Sequence, residues 1–260
     1  MRLKQLRPLG LLLLFAAIYL LLVQVTSTLL AALVAGWLLL GLVERRPLGD
    51  LGFRPQRRTP TEILVGLAIP CAALLLVWLP IVLLGAQRYR PDDGTWGAWL
   101  AGCAQLLIWL IVPAAGEEAL FRGYPFQKLV EWVGPVIATV GASAAFAVAH
   151  YNNPGISVFA LINIFAAGVM LSIAYLRTGS LWFATAVHLG WNWQIGGPLD
   201  LPISGLELFD APMYEPSDLG SAWLTGREFG PEGGLAGLVA LSLVTAGMWW
   251  YTKPKQQRDA

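Results

Sequence analysis

The feature that most constrains this chain is the length of its uncharged apolar stretches. Residues 9–43 contain no charged side chain, and similar runs recur along the chain. A helix needs about 20 apolar residues to cross a hydrocarbon core of about 30 Å. As one helix, residues 9–43 would be about 52 Å long at 1.5 Å per residue. The pattern therefore predicts two short membrane-spanning helices joined by a turn near residues 24–28.

The remaining apolar runs extend this prediction to the whole chain. We expect eight spans, at residues 9–43 (two), 63–85, 96–130, 135–151, 157–176, 181–195 and 234–251. Charged residues make up only 13% of the chain, too few to cover the surface of a soluble domain. The predicted fold class is all-α, a polytopic membrane helical bundle of about eight transmembrane helices. Residues 1–58 are expected to form an N-terminal transmembrane hairpin with a basic cytoplasmic linker, and residues 59–260 the helical core.

The basic residues are distributed unevenly between the predicted loops. Of the 17 Lys and Arg residues, 13 lie in predicted loops on the side of both termini. The other four are Arg88, Arg90 and Arg227 on the opposite side and Arg122 within the membrane. Basic loops favour the cytoplasmic side, so we predict an integral protein of the cell (inner) membrane with both termini in the cytoplasm. The acidic loop at residues 196–233 then faces outward, and we expect it to cap that side without taking part in catalysis.

The net charge of +1 leaves no basic stripe for nucleic acid. Membrane lipid is the first expected partner.

Ionisable residues inside apolar helices mark candidate functional sites, because placing them in a membrane is costly. Glu118 and Arg122 are four residues apart and can pair on one helix face. Glu117 then points to another face, without a local partner. A carboxylate in a partly dry cavity can act as a general base toward water. The same residues are also compatible with a helix that ends at Gly123 and carries two exposed glutamates and one salt bridge.

The two histidines of the chain both lie in predicted helices. His188 is four residues before Asn192, so the two share a helix face. A turn at residues 134–135, midway between Glu117 and His150, would set these two side chains at the same depth on facing helices. Singly, each histidine is also compatible with a hydrogen-bonded structural role. Together the four residues offer a base, two imidazoles and an amide donor for an oxyanion.

Taken in order, these patterns resemble the signature of the CPBP family, the CAAX proteases and bacteriocin-processing enzymes also called Abi. That signature reads EExxxR, FxxxH and HxxxN or HxxxD on consecutive membrane helices. Here it is carried by Glu117-Glu118…Arg122, Phe146…His150 and His188…Asn192. The resemblance covers residues 97–195 and implies an intramembrane endopeptidase.

The resemblance also implies roles for the acidic and basic residues. Glu117 would activate the attacking water, and His150 would orient or polarise that water. Glu118 and Arg122 would support the base by pairing with each other.

For the remaining two residues, the resemblance implies contact with the substrate. His188 and Asn192 would form the oxyanion site. The substrate would be a membrane-associated peptide or a lipidated protein, either of the prenylated CAAX type or bacteriocin-like.

A zinc ion is the one cofactor that the residues leave open. Glu117, His150 and His188 would supply three ligands and leave a position for water, as in a metalloprotease. No HExxH pattern occurs in the chain. Because the family is also described as using the glutamate directly on water, we favour the metal-independent mechanism.

Two other functions use the same features. A non-catalytic immunity or scaffold protein of the same fold would keep its activity without Glu117. A proton-coupled transporter would also bury Glu and His in the membrane, although the chain has no internal repeat of the kind that many transporters show.

Overall fold

The computed structural model describes residues 3–253, and the side chains from Arg7 onward. Arg2, Lys4, Lys255 and Arg258, which the predicted cytoplasmic placement of the termini uses, lie outside the described residues or side chains. The main elements in chain order are α1 Leu3–Leu22, α2 Thr28–Trp37, α3 Thr59–Leu83, β1 Gln87–Pro91, α4 Trp96–Phe121, α5 Tyr124–Ala149, α6 Val158–Thr178, α7 Leu181–Gly196, β2 Tyr214–Asp218, α8 Ala222–Thr225 and α9 Leu235–Tyr251. Short 3-10 turns occur at Leu48–Leu51, Arg227–Phe229 and Pro231–Gly233. The mostly helical architecture is as predicted.

Among residues 3–253, three helical stretches are long and apolar enough to cross a membrane. They are α3, the run Trp96–Ala149 that contains α4 and α5, and α6. The stretches Arg7–Leu22, Thr28–Val43 and Leu235–Tyr251 are apolar but shorter. These helices are typical of an integral membrane protein. The count of eight spans stays a prediction.

The N-terminal hairpin folds as predicted. The hydroxyl of Ser27 accepts a hydrogen bond from the Leu30 amide at 3.3 Å and caps the start of α2. The second arm continues as a π-helical turn over Leu38–Val43. The hairpin packs on the core through the ring of Phe15, which stacks on Tyr124 with 5.8 Å between the ring centroids.

Helix α4 ends earlier than predicted, and α5 contains the predicted turn. The sequence pattern predicts a span to residue 130, but α4 stops at Phe121 because the chain breaks at Gly123. Gly134, with φ 81° and ψ 165°, then divides α5 into residues 124–133 and 135–149. A φ in this range favours glycine. The two parts fold back on each other, since a Cβ on Gly141 would lie 3.6 Å from Leu129.

The two strands join the long loops at one end of the bundle. β1 and β2 pair antiparallel, with Gln87 opposite Asp218 and Pro91 opposite Tyr214. Arg58, before α3, contacts the carbonyl of Thr178 at the opposite end. The loop between α7 and α9 therefore lies at the end of the bundle away from Arg58.

Helices α3 and α7 cross at very close range. A Cβ on Gly66 would lie 2.7 Å from the Cβ of Ala186, and a Cβ on Gly190 would lie 2.7 Å from the Leu67 carbonyl oxygen. Small residues permit such close approach of helix backbones inside membranes. His188 lies between Ala186 and Gly190 on α7, so this crossing fixes the position of the site.

Candidate active site

A buried ion pair lies at the centre of the predicted site. The Arg122 guanidinium donates to Glu118 Oε1 at 3.0 Å, and both side chains are fully buried. His188 Nδ1 lies 2.9 Å from the same oxygen. Because a carboxylate only accepts, Nδ1 carries a proton in this contact. Glu118 is therefore held by two donors, and the predicted pairing of Glu118 with Arg122 is present in the structure.

The buried charge of Arg122 is stabilised by two further contacts. Its Nη2 donates to the Gly168 carbonyl on α6 at 3.0 Å. Its guanidinium carbon lies 4.6 Å from the ring centroid of Phe146, on α5, in cation–π geometry. Removing a charge from water is costly unless its partners replace the lost hydration. Arg122 thus ties α4, α5 and α6 together behind the site.

Glu117 has a different environment from its neighbour. One third of its side chain is exposed, whereas Glu118 is fully buried. Its Oε2 lies 3.9 Å from His188 Nε2 and has no hydrogen-bond partner within residues 3–253. Glu118 Oε2 also has no partner among these residues, but it is fully buried, so Glu117 is the glutamate of the two that water can reach.

His150 is oriented by its own helix. Its Nδ1 lies 2.8 Å from the carbonyl oxygen of Phe146, one turn earlier. Since a carbonyl only accepts, Nδ1 carries the proton and Nε2 of the neutral ring keeps a lone pair. This arrangement leaves Nε2 able to accept a hydrogen bond from water.

One cavity brings four of the predicted residues together. It has a volume of about 160 Å³, and its lining includes Glu117, His150, His188 and Asn192. Glu118 and Arg122 do not line it and lie behind its wall. The helix end near Gly123, which the sequence left open, is present, and Glu117 and His150 still face the same space.

The cavity has a second wall that the sequence patterns did not predict. Residues of the loop between α7 and α9 line it, namely Ile203, Ser204, Leu206, Leu208 and Glu232. The loop was predicted to cap the outer side. It also forms part of the site.

Glu232 is the residue of this wall that sequence reasoning missed. Its side chain is only 4% exposed. Oε2 accepts from the Ser204 amide at 2.6 Å and from the Ser204 hydroxyl at 2.7 Å. Oε1 accepts from the indole of Trp191 at 2.9 Å. Trp191 is next to Asn192, so Glu232 links the loop to the part of α7 that carries the predicted oxyanion site.

The sequence around Glu232 gives little signal for this role. Glycines surround it in the segment 230–234, which is typical of a solvated turn. Its burial depends on α6, where the Asn163 amide donates to the carbonyls of Glu232 and Gly234 at 2.8 and 2.9 Å. Only the folded contact reveals that this glutamate is buried.

The candidate zinc ligands do not form a metal site as they are placed. In the part of the chain that the structure describes, no group of three or more His, Cys, Asp or Glu side chains is arranged to hold a metal ion. Glu117, His150 and His188 line one cavity, and the bonded Nδ1 of each histidine leaves Nε2 as its possible ligand atom. Because these three side chains are not grouped as a zinc site requires, the mechanism proposed below uses the side chains of the protein alone.

Comparison with known proteins supports the motif assignment. Residues 98–194 match a family described as type II CAAX prenyl endopeptidase Rce1-like. This segment contains all three motifs, so the predicted resemblance is confirmed. No curated protein matches the chain, and no solved structure does.

Proposed function

We propose that this chain is an intramembrane endopeptidase in which Glu117 activates water, because residues 98–194 match the Rce1-like type II CAAX prenyl endopeptidases, a protease family. The observation that carries the proposal is the contrast between two adjacent glutamates. Glu118 is bonded to Arg122 and His188, and its unpartnered Oε2 is buried away from the cavity lining, whereas Glu117 lines the cavity with an oxygen that has no partner among the described residues. A base must have such an oxygen within reach of its water.

The proposed reaction begins with water between Glu117 and His150. Glu117 takes a proton from this water while the lone pair of His150 Nε2 orients it. The resulting hydroxide attacks the peptide carbonyl carbon, and the carbonyl π electrons move to oxygen. The C–N bond then breaks as Glu117 returns the proton to the leaving nitrogen. The products are a carboxylic acid and an amine, which become a carboxylate and an ammonium group when the acid's proton passes to the amine.

His188 and Asn192 are proposed to stabilise the oxyanion. The Asn192 amide can donate without any change of charge. His188 already donates through Nδ1 to Glu118, so it donates through Nε2 only when the ring carries both protons. Glu118, behind the cavity wall, therefore acts as a positioning residue for His188.

The proposed substrate is a membrane-associated peptide or lipidated protein. Trp109 lines the cavity and is 58% exposed on α4, beside the exposed Ile108 and Val112. This apolar surface gives the cavity a lipid-facing side, where a prenyl group or another membrane anchor would lie. The chain is further proposed to lie in the cell membrane with both termini in the cytoplasm. Residues 1–58 would form the N-terminal hairpin and its linker, and residues 59–260 the helical core.

The test is cleavage by purified protein in lipid vesicles. We expect Glu117→Gln to lower the rate by at least about 100-fold, the usual contribution of a general base. Glu131→Gln is the matched control, because Glu131 is half exposed and pairs with Lys128 outside the cavity. Prenylated CAAX peptides and bacteriocin-like precursors serve as substrates. A zinc chelator should leave the wild-type rate unchanged.

The same variants separate the other readings. Wild-type cleavage that persists in Glu117→Gln would refute the role of Glu117. A biological activity that survives Glu117→Gln without cleavage would instead favour an immunity or scaffold protein.

A further inference from the structure

A second and larger cavity lies at the end of the bundle that carries the two strands. Its volume is about 710 Å³. The carboxylates in its lining are Asp200, Glu207, Asp210, Glu215, Asp218 and Glu228. The basic residue in the lining is Arg227, which donates to the Gly220 carbonyl at 3.2 Å. This acidic cavity therefore carries a large excess of negative charge.

The wall of the acidic cavity also holds an unsatisfied amide. Gln87 on β1 is fully buried, and neither its Nε2 nor its Oε1 has a hydrogen-bond partner among residues 3–253. A buried amide without partners destabilises the folded state. An amide both donates and accepts, as a peptide backbone does, so Gln87 suits a polypeptide better than a bare ion.

The carboxylates of this cavity are close enough to repel each other. The pKa of Asp200 is raised to about 6, first by burial and then by the charges of Asp210, Glu215 and Glu207. A bound positive charge would relieve this repulsion. In the described part of the chain, these carboxylates form no group that could hold a metal ion. Their spread along the cavity suits several separate positive charges.

The acidic cavity adjoins the proposed catalytic cavity, the one lined by Glu117, His150, His188 and Asn192. Leu208 lines both. Pro202 and Pro231 line the acidic cavity, and their neighbours Ile203 and Glu232 line the catalytic one. A polypeptide with its scissile bond at Glu117 can therefore continue past this shared wall into the acidic cavity.

We propose that the acidic cavity binds a segment of the substrate that carries Lys or Arg residues next to the scissile bond. This inference rests on the proposed function, because it assigns the chemistry of the substrate to the same site. The substrate then approaches from the end of the bundle with β1 and β2, which is the predicted outer side, so a bacteriocin-like precursor fits this route and a cytoplasmic prenylated protein does not. Charge complementarity of this kind selects partners and speeds their association.

The experiment measures binding and cleavage separately. Binding uses the Glu117→Gln protein in vesicles and two fluorescent membrane-anchored peptides, one with three Lys residues beside the scissile region and one with Gln in their place. Cleavage of the same peptides is measured with the wild-type Glu117. We expect the Lys peptide to bind more tightly, and the preference to fall as salt is raised from 50 to 500 mM.

A charge-matched pair of variants tests the position of the site. Glu207→Gln/Glu215→Gln removes two exposed carboxylates from the acidic cavity, and we expect the Kd of the Lys peptide to rise about three- to tenfold. Asp92→Asn/Asp93→Asn removes two exposed carboxylates that follow β1 and do not line the cavity, and should change the Kd less than twofold. Neither pair should alter the binding of the Gln peptide.

The binding and cleavage results test the acidic cavity and the protease assignment separately. Equal weakening by both pairs, or equal affinity for the Lys and Gln peptides, overturns the acidic cavity as a substrate site. Selective binding of the Lys peptide without any cleavage supports this cavity and counts against the protease assignment.

Discussion

The proposed catalytic cavity has a helical wall and a loop wall, with one buried carboxylate behind the first and another in the second. On the helical wall, Glu118 is held by Arg122 and His188, which can carry positive charge. On the loop wall, Glu232 is held by neutral donors, the amide and hydroxyl of Ser204 and the indole of Trp191. Of these two arrangements, only the second provides donors for both oxygens, since Oε2 of Glu118 has none among the described residues. The first couples the acid to charges within the site, whereas the second couples it to the position of a loop.

The largest effect on stability should come from breaking the buried ion pair between Glu118 and Arg122. Arg122→Met leaves Glu118 buried without its guanidinium, and we expect a loss of about 3–5 kcal/mol in the free energy of unfolding. The measurement is thermal or denaturant unfolding of the protein in detergent micelles. The double variant Arg122→Met/Glu118→Leu should recover part of the loss, because no unpaired carboxylate is left.

A double variant that is less stable than Arg122→Met alone would contradict this expectation. That result would mean that Glu118 is stabilised mainly by His188, and that Arg122 contributes chiefly by packing on Phe146.

A smaller effect on stability is expected from removing the hydrogen bonds that neutral donors make to Glu232. Glu232→Ala leaves the Trp191 indole and the Ser204 amide buried without their acceptor, which should destabilise the protein by about 2–3 kcal/mol. Cleavage should fall as well, since Trp191 adjoins Asn192. Unfolding and cleavage are measured side by side.

Ser204→Ala is the control for Glu232→Ala. It removes one of the three hydrogen bonds, so the expected loss is only about 1 kcal/mol. A Glu232→Ala variant with full stability would show that the loop wall does not depend on this carboxylate.

The smallest effect concerns Asp200, in the same loop, and it should be a gain. Its pKa of about 6 in the folded protein lies above the ordinary value of 3.8, mainly because of burial. The folded state therefore binds this proton more tightly, and stability falls as pH rises from about 4 to about 6. Asp200→Asn removes the charge and should stabilise the protein by about 1–2 kcal/mol at pH 7.5.

The pH dependence separates this cause from a backbone effect. Asp200 has φ 51°, a conformation that asparagine also adopts readily. That contribution does not change with pH, whereas the charge contribution should disappear near pH 4. A gain of equal size at pH 7.5 and pH 4 would contradict the role assigned to the charge.

The helical wall could be predicted because its residues are linked by helix periodicity. Glu118 and Arg122 are one turn apart, as are His188 and Asn192, so their shared faces follow from the sequence. The turn at Gly134 follows from a Gly-Pro pair. The end of α4 at Phe121 was harder to predict, because the apolar pattern continues past Gly123.

The loop wall could not be predicted, because its burial depends on contacts distant in sequence. Ser204 and Glu232 are 28 residues apart and Trp191 and Glu232 are 41 apart. No local period links them. The acidic loop was predicted only to cap the outer side, and the pairing of β1 with β2 is what shows that Gln87 lies among its carboxylates.

The close crossing of α3 and α7 also bears on how inactive variants should be interpreted. Any side chain at Gly66 or Gly190 would push α7, and His188 with it, away from α3. A random mutagenesis screen for loss of cleavage should therefore recover substitutions on α3, a helix that contributes no residue to the cavity lining. In a genetic map, such positions would resemble catalytic residues while never touching the substrate.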